Sequence, residues 1–183
     1  MSPLPTGPGA TVWLTGLPSA GKSTIARAVG ERLRAAGHRV EILDGDEIRA
    51  ELTADLGFSR EDRITNVRRV GFIAAVLARN GVTALVPVIA PYAVARDAVR
   101  AKHEADGSVY LEVHIATPLD ECVARDVKGL YAKQRAGEMT GLTGVDDPYE
   151  VPEKPDLRLD TSGHTREQSV AAVLDLLAEH GLA

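Results

Sequence analysis

A chain of 183 residues, 44% of them hydrophobic, can bury one sizeable core and needs no second domain. An excess of acidic over basic side chains (26 against 21), no extended basic run and only 4% aromatic residues argue against a nucleic-acid polymer as partner. Cys122 is the only cysteine, which excludes an intrachain disulfide and fits a reducing, cytoplasmic setting.

Residues 1–10 are rich in proline, glycine and small side chains and lack the charged start and apolar centre of a signal peptide, so they read as a mobile tail. Thr11 to Thr15 is short, apolar and rich in β-formers, and predicts the first strand. There follows Gly16-Leu17-Pro18-Ser19-Ala20-Gly21-Lys22-Ser23-Thr24, a match to G-x-x-x-x-G-K-[ST], and then apolar residues at helical spacing from Ile25 to Leu33. Strand, glycine loop and helix is the context that this motif requires. Backbone N–H groups and a helix N-terminus can cradle a phosphate chain, Lys22 can reach the terminal phosphates, and Ser23 is left for Mg²⁺. The whole run is therefore assigned to ATP.

The helix should end near Ala36-Gly37, and Arg39 to Leu43 alternates as a second strand. At its end stand Asp44, Gly45 and Asp46, followed by Arg49, at the sheet edge where ligands of open α/β folds bind. Ser59 and Asp62 have the spacing of a capping box, and Ile64, Val67, Gly71, Ala74 and Ala78 predict the core face of the next helix. Arg63, Asn66 and Arg69 form a separate stripe that is either a ligand surface or a solvated helix face.

Val82 to Val88 predicts a buried strand, continued through Ile89-Ala90-Pro91-Tyr92 into a helix with Arg96 and Arg100. The run is too short, and too interrupted by Pro87 and Pro91, to span a bilayer. No aspartate closes the strand, so Asp44 or Asp46 must supply the carboxylate on the magnesium side, directly or through water. Val109 to Ile115 predicts a fourth strand, with His114 structural, and Thr117 with Pro118 predicts a helix start. Arg125, Lys128, Lys133 and Arg135 then occur among glycines, as a lid over residues 125–150 or as a charged surface excursion. A strand over 156–160 and a helix capped by Thr165 and Gln168, with Val170, Val173, Leu174 and Leu177 on its apolar face, close the chain.

The sum is an α/β fold, a three-layer sandwich of the P-loop NTPase type with a mostly parallel five-stranded sheet, in one domain over residues 11–183. The loop alone does not choose among kinase, GTPase and motor-like ATPase. Asn-Lys-x-Asp is absent, and the D-x-x-G match at Asp160 comes too late for a switch loop, which argues against a GTPase. A second set of polar groups and a candidate lid are what a kinase with a small anionic acceptor needs.

Several separate motifs stand in order between Thr11 and about Glu153: Leu43-Asp44-Gly45-Asp46 with Arg49, Leu56-Gly57-Phe58-Ser59 with Asp62-Arg63, Asn66 and Arg68-Arg69, and Pro91-Tyr92 with Arg96. They continue in Arg125-Asp126-x-Lys128-Gly129-Leu130-Tyr131 and Thr143-Gly144-Val145-Asp146-Asp147-Pro148-Tyr149-Glu150. In these motifs the chain resembles the adenylyl-sulfate kinases, and the resemblance covers nearly the whole of it. It implies transfer of the γ-phosphoryl group of ATP to the 3′-hydroxyl of adenylyl sulfate, with Mg²⁺, in a homodimer that can associate with an ATP sulfurylase. It further implies that Arg49, Arg63 and Asn66 hold the acceptor, that Phe58 stacks on its adenine, and that Lys128 approaches the anionic groups. Asp46, with Asp44 beside it, is the expected base. Ala90 stands where many members have serine, so transfer is expected to be direct. Leu142 stands where many have a phenylalanine facing the adenine opposite Phe58, which keeps apolar contact but loses ring stacking. The alternatives are a kinase for another small hydroxyl-bearing metabolite and a non-catalytic nucleotide-binding regulator.

Overall fold

The computed structural model describes residues 8–183. Five strands, β1 (Ala10–Thr15), β2 (Val40–Ile42), β3 (Thr83–Pro87), β4 (Val109–Ile115) and β5 (Leu157–Leu159), form one parallel sheet in the order β2-β3-β1-β4-β5. Every residue of β1 is buried, as expected for a central strand covered on both faces. Alternation along it serves two cores. Val12 and Leu14 join the first helix, α1 (Lys22–Ala35), and the last, α7 (Arg166–Glu179), on one face; Trp13 faces α3 (Arg60–Arg79) and α4 (Ala93–Asp106) on the other. Because α1 and α4 leave adjacent strands toward opposite faces, a crevice opens at the carboxyl ends of β1 and β3. Gly71 lets α3 and α4 pack closely, since a Cβ there would overlap the Val99 side chain.

Several expected boundaries move. Residues 1–7 of the expected tail lie outside the described residues, whereas Gly9 and Ala10 are buried and Ala10 already pairs in β1. The outer strands are shorter than their apolar patterns, since only Val40–Ile42 and Leu157–Leu159 find a ladder partner. A seven-residue helix, α2 (Gly45–Glu51), follows β2 where two acids at a strand end were expected. Asp44 caps it by accepting the N–H of Asp46 at 3.1 Å. The box at Ser59 is half made: Ser59 Oγ accepts the N–H of Asp62, and no reciprocal bond forms. At the short α5 (Leu119–Arg125) Pro118 is the cap residue, because the hydroxyl of Thr117 is used elsewhere. The box of Thr165 and Gln168 is complete. Ile64 and Leu174 are half-buried, and Leu176 joins the apolar face of α7.

Candidate active site

Gly16 to Thr24 wraps from the end of β1 into α1 at the crevice. Gly21 caps α1 with φ at +108°, a left-handed conformation that glycine takes without the Cβ penalty. Lys22 is 8% exposed and folds back on its own loop, donating to Gly16 O at 3.0 Å and Leu17 O at 2.6 Å. Burial, helped by the neighbouring Lys128 charge, lowers its pKa to about 8, offset in part by Cys122 and then by the carboxylates of Asp46 and Asp44. Ser23 is half-buried and Thr24 exposed at the helix start.

The outer side of the loop is braced by residues that no local pattern marked for this task. Thr117 Oγ1 donates to Ala20 O at 2.8 Å, Arg125 donates to Thr161 Oγ1 at 2.8 Å, and the buried Tyr131 hydroxyl donates to Pro18 O at 2.9 Å. Val127 N–H donates to Ser19 Oγ at 3.2 Å. Asp126 meanwhile accepts the N–H groups of Tyr131 and Ala132 in the first turn of α6 (Leu130–Arg135), and the bonds of Val127 and Tyr131 fasten the start of the 125–150 segment beside the phosphate loop. The D-x-x-G match and the Lys128-Gly129-Leu130-Tyr131 run were the available signals for Thr161 and Tyr131.

Both oxygens of Asp44 are engaged, one by Asp46 N–H and one by Arg27 at 3.4 Å. Asp46 is open to solvent apart from Lys128, whose ammonium pairs with its carboxylate. Ser23 Oγ and these carboxylates are hard oxygen donors. They suit magnesium, which keeps several waters and takes only one or two protein ligands beside phosphate. Among the described residues no three His, Cys, Asp or Glu side chains gather as a metal cluster of their own.

Across from the phosphate loop, two guanidinium groups flank one ring. Arg49 lies 4.9 Å and Arg63 5.7 Å from the centroid of Phe58, which is 71% exposed. Burial and the neighbouring Arg63 charge both lower the Arg49 pKa. Arg49 donates to Gly57 O at 2.8 Å. Arg63, itself buried, donates to Phe58 O at 2.8 Å, Thr143 Oγ1 at 2.8 Å and Gly141 O at 2.6 Å, and lies 3.5 Å from Asp147. Two adjacent cations beside an exposed aromatic face make a seat for an anion carrying a flat ring. Asn66, one turn after Arg63 on α3, accepts from Thr53 Oγ1 at 2.7 Å. The expected polar stripe on α3 therefore splits: Arg63 faces inward, whereas Arg69 turns outward to Asp55 at 2.7 Å. Leu142 is 4% exposed and packs in the α1-side core with Tyr131. A cleft of about 500 Å³ is lined by Leu17 of the phosphate loop and by residues 144–149.

The family model for adenylylsulphate kinase matches residues 8–160. An adenylyl-sulfate kinase of Picosynechococcus sp. is 49% identical over 173 residues, covering 94% of this chain and 96% of the relative. The solved APS kinase CysC of Mycobacterium tuberculosis, in complex with AMPPNP and APS, superposes with a TM-score of 0.91 at 46% identity, over 94% of this chain and 99% of that one. A hexameric APS kinase from Thiobacillus denitrificans superposes with a TM-score of 0.72 at 38% identity, over 96% of this chain and 30% of that one. The chain belongs to the adenylyl-sulfate kinase family.

Proposed function

We propose that this chain transfers the γ-phosphoryl group of ATP to the ribose 3′-hydroxyl of adenylyl sulfate, giving 3′-phosphoadenylyl sulfate and ADP. The observation that carries this is the pairing of a phosphate loop with a second anion seat, Arg49, Phe58 and Arg63, at the same sheet edge. A hydrolase would need only the first.

Phosphoryl transfer proceeds through a loose transition state, so positioning and charge stabilisation supply most of the catalysis. The loop N–H groups and Lys22 hold the β- and γ-phosphates. Arg49 and Arg63 hold the phosphosulfate, Phe58 stacks on the adenine, and Asn66 fixes the ribose side. Asp46 orients the 3′-hydroxyl and takes its proton as the new O–P bond forms and the bond to ADP breaks. Lys128, the partner of Asp46, approaches the anionic groups from a lid spanning 125–150. Ser23 and Asp44 would hold magnesium, which would supply positive charge to offset that of the phosphates. Ala90 has no hydroxyl to carry a phosphate, which supports a direct in-line reaction.

The same proposal includes a cytoplasmic enzyme; among the described residues no helix is long and apolar enough to cross a membrane, and Cys122 is a buried free thiol. It also includes a homodimer, with docking of an ATP sulfurylase as a further proposal; light scattering with and without a sulfurylase tests both.

The deciding experiment measures ADP release from Mg²⁺-ATP with adenylyl sulfate or AMP as acceptor, and locates the new phosphate by NMR. Release that requires adenylyl sulfate and yields a 3′-phosphate is expected. Equal release with AMP, or none with either, overturns the assignment.

A further inference from the structure

Arg96 is 3% exposed, far from the phosphate loop in sequence, and all three of its nitrogens are committed. Nε pairs with Glu112 of β4 at 3.0 Å, Nη1 donates to Ala90 O at 2.7 Å, and Nη2 donates to Glu150 O at 2.7 Å. The two carbonyls belong to different segments. Ala90 lies in the turn that leaves β3, held at a φ of +46° that alanine rarely adopts. Glu150 lies at the end of the long segment after α6, and two further bonds fasten it to the same turn. Its N–H donates to Pro91 O at 2.8 Å, and its carboxylate accepts Ala93 N–H at 2.6 Å.

The other end of that segment holds the acceptor side. Gly141 O, Thr143 Oγ1 and the Asp147 carboxylate surround Arg63, and Gly144 N–H closes back on Asp147 O at 2.7 Å. Residues 141–150 are thus a strap with Arg63 clasped at one end and Arg96 at the other. Arg96 lies behind the crevice: its guanidinium is buried 6.0 Å from the ring of Tyr149, which lines the cleft, and is anchored to the central sheet through Glu112.

We infer that Arg96, braced by Glu112, is a positioning residue that fixes the strap and thereby sets the placement of Arg63 for the acceptor. This rests on Arg63 contacting the acceptor, as proposed above. A guanidinium is needed because one planar fork spans two carbonyls and a carboxylate at once; a lysine can satisfy the charge of Glu112 but not all three directions. The effect falls mainly on the acceptor: the strap meets the ATP side where Gly144 packs on Leu17 and Tyr149 Oη lies 3.0 Å from Thr15 Oγ1, but the bonds through Thr117, Arg125 and Tyr131 that brace the phosphate loop involve neither Arg96 nor Arg63.

The test compares Arg96→Lys and the milder Glu112→Gln with wild type, measuring kcat, KM for adenylyl sulfate and KM for ATP, together with the thermal midpoint. Arg96→Lys is expected to raise KM for adenylyl sulfate at least tenfold and leave KM for ATP within twofold, with Glu112→Gln in the same direction and smaller. A merely structural role would lower kcat through loss of folded enzyme and leave both KM values unchanged, which overturns the inference. So does an equal rise in both KM values, or failure of even Glu112→Gln to fold. Arg63→Ala run in parallel separates the two levels: unchanged KM for adenylyl sulfate there refutes the assigned acceptor site, whereas a raised KM there with none in Arg96→Lys refutes the positioning role alone.

Discussion

Lys128 reaches across from the segment after α5 to pair with the carboxylate of Asp46, at the start of α2. The two residues are 82 positions apart, and both are largely open to solvent. A pair of this kind contributes about 0–1 kcal/mol, because water screens it and two long side chains must be ordered. The contact is therefore easily opened, as the role proposed for Asp46 requires. It also brings a movable positive charge beside the group assigned as base.

Asp46→Asn keeps the size of the side chain and removes its ability to accept a proton. General-base help is worth about 10²–10⁴-fold, so kcat is expected to fall within that range. ATP affinity should stay within about twofold, since the loop contacts are untouched. Stopped-flow turnover with a parallel nucleotide titration checks this, and near-normal turnover removes Asp46 from the mechanism.

Leu142→Phe distinguishes two accounts of the same position. If residue 142 faced the acceptor, a phenylalanine would add stacking worth about 0.5–1.5 kcal/mol and lower KM for adenylyl sulfate. In the structure Leu142 is buried among core side chains, where a larger ring overpacks at a cost of about 1–3 kcal/mol. The expected result is a lower unfolding midpoint with no gain in acceptor affinity. A tighter KM with unchanged stability would place residue 142 at the acceptor.

Leu142 also marks where local pattern stops being informative. The phosphate loop was legible because its motif dictates a strand before it and a helix after it, and β4 was legible in full from its alternation. The capping box at Thr165 was legible because both partners lie within one turn. By contrast, α2 is seven residues long with only Ile48 buried, too short for a helical period to register. Thr117 has the look of a cap, and its hydroxyl is instead taken by Ala20 O, 97 residues away. Arg96 reads as a charged residue on a helix and Arg63 as part of a ligand surface or a solvated face, yet both are buried because backbone carbonyls from distant loops satisfy them.

His114 is buried against the Tyr149 ring and near Arg96 and Arg158, and burial first, then these cations, lowers its pKa to about 4. The unfolded chain takes up a proton near pH 6.5, whereas the folded chain does so only near pH 4. Unfolded molecules thus bind more protons between these values. The resulting stability is complete above about pH 6.5 and is lost as pH falls toward 4, a change of about 3 kcal/mol. His114→Phe should flatten the acid limb of a denaturant-based stability profile by close to one proton. Superimposable limbs for the two proteins would show that His114 titrates normally.

Lys22 gives the opposite kind of group, a cation that its ligand needs charged. With its pKa lowered to about 8 in the free protein, the ammonium is mostly present at pH 7 and mostly absent at pH 9. Phosphate oxygens favour the charged form, so the pKa rises on ATP binding, and above pH 8 binding must be accompanied by proton uptake. Linkage then requires ATP affinity to fall as pH rises, by about tenfold between pH 7 and pH 9. Calorimetric titration in two buffers of different ionisation enthalpy measures both the affinity and the proton uptake. Lys22→Gln should bind ATP more weakly at pH 7 and lose this pH dependence. A wild-type affinity that stays level across the range would mean that the buried ammonium keeps its proton well above pH 9 through its bonds to Gly16 O and Leu17 O.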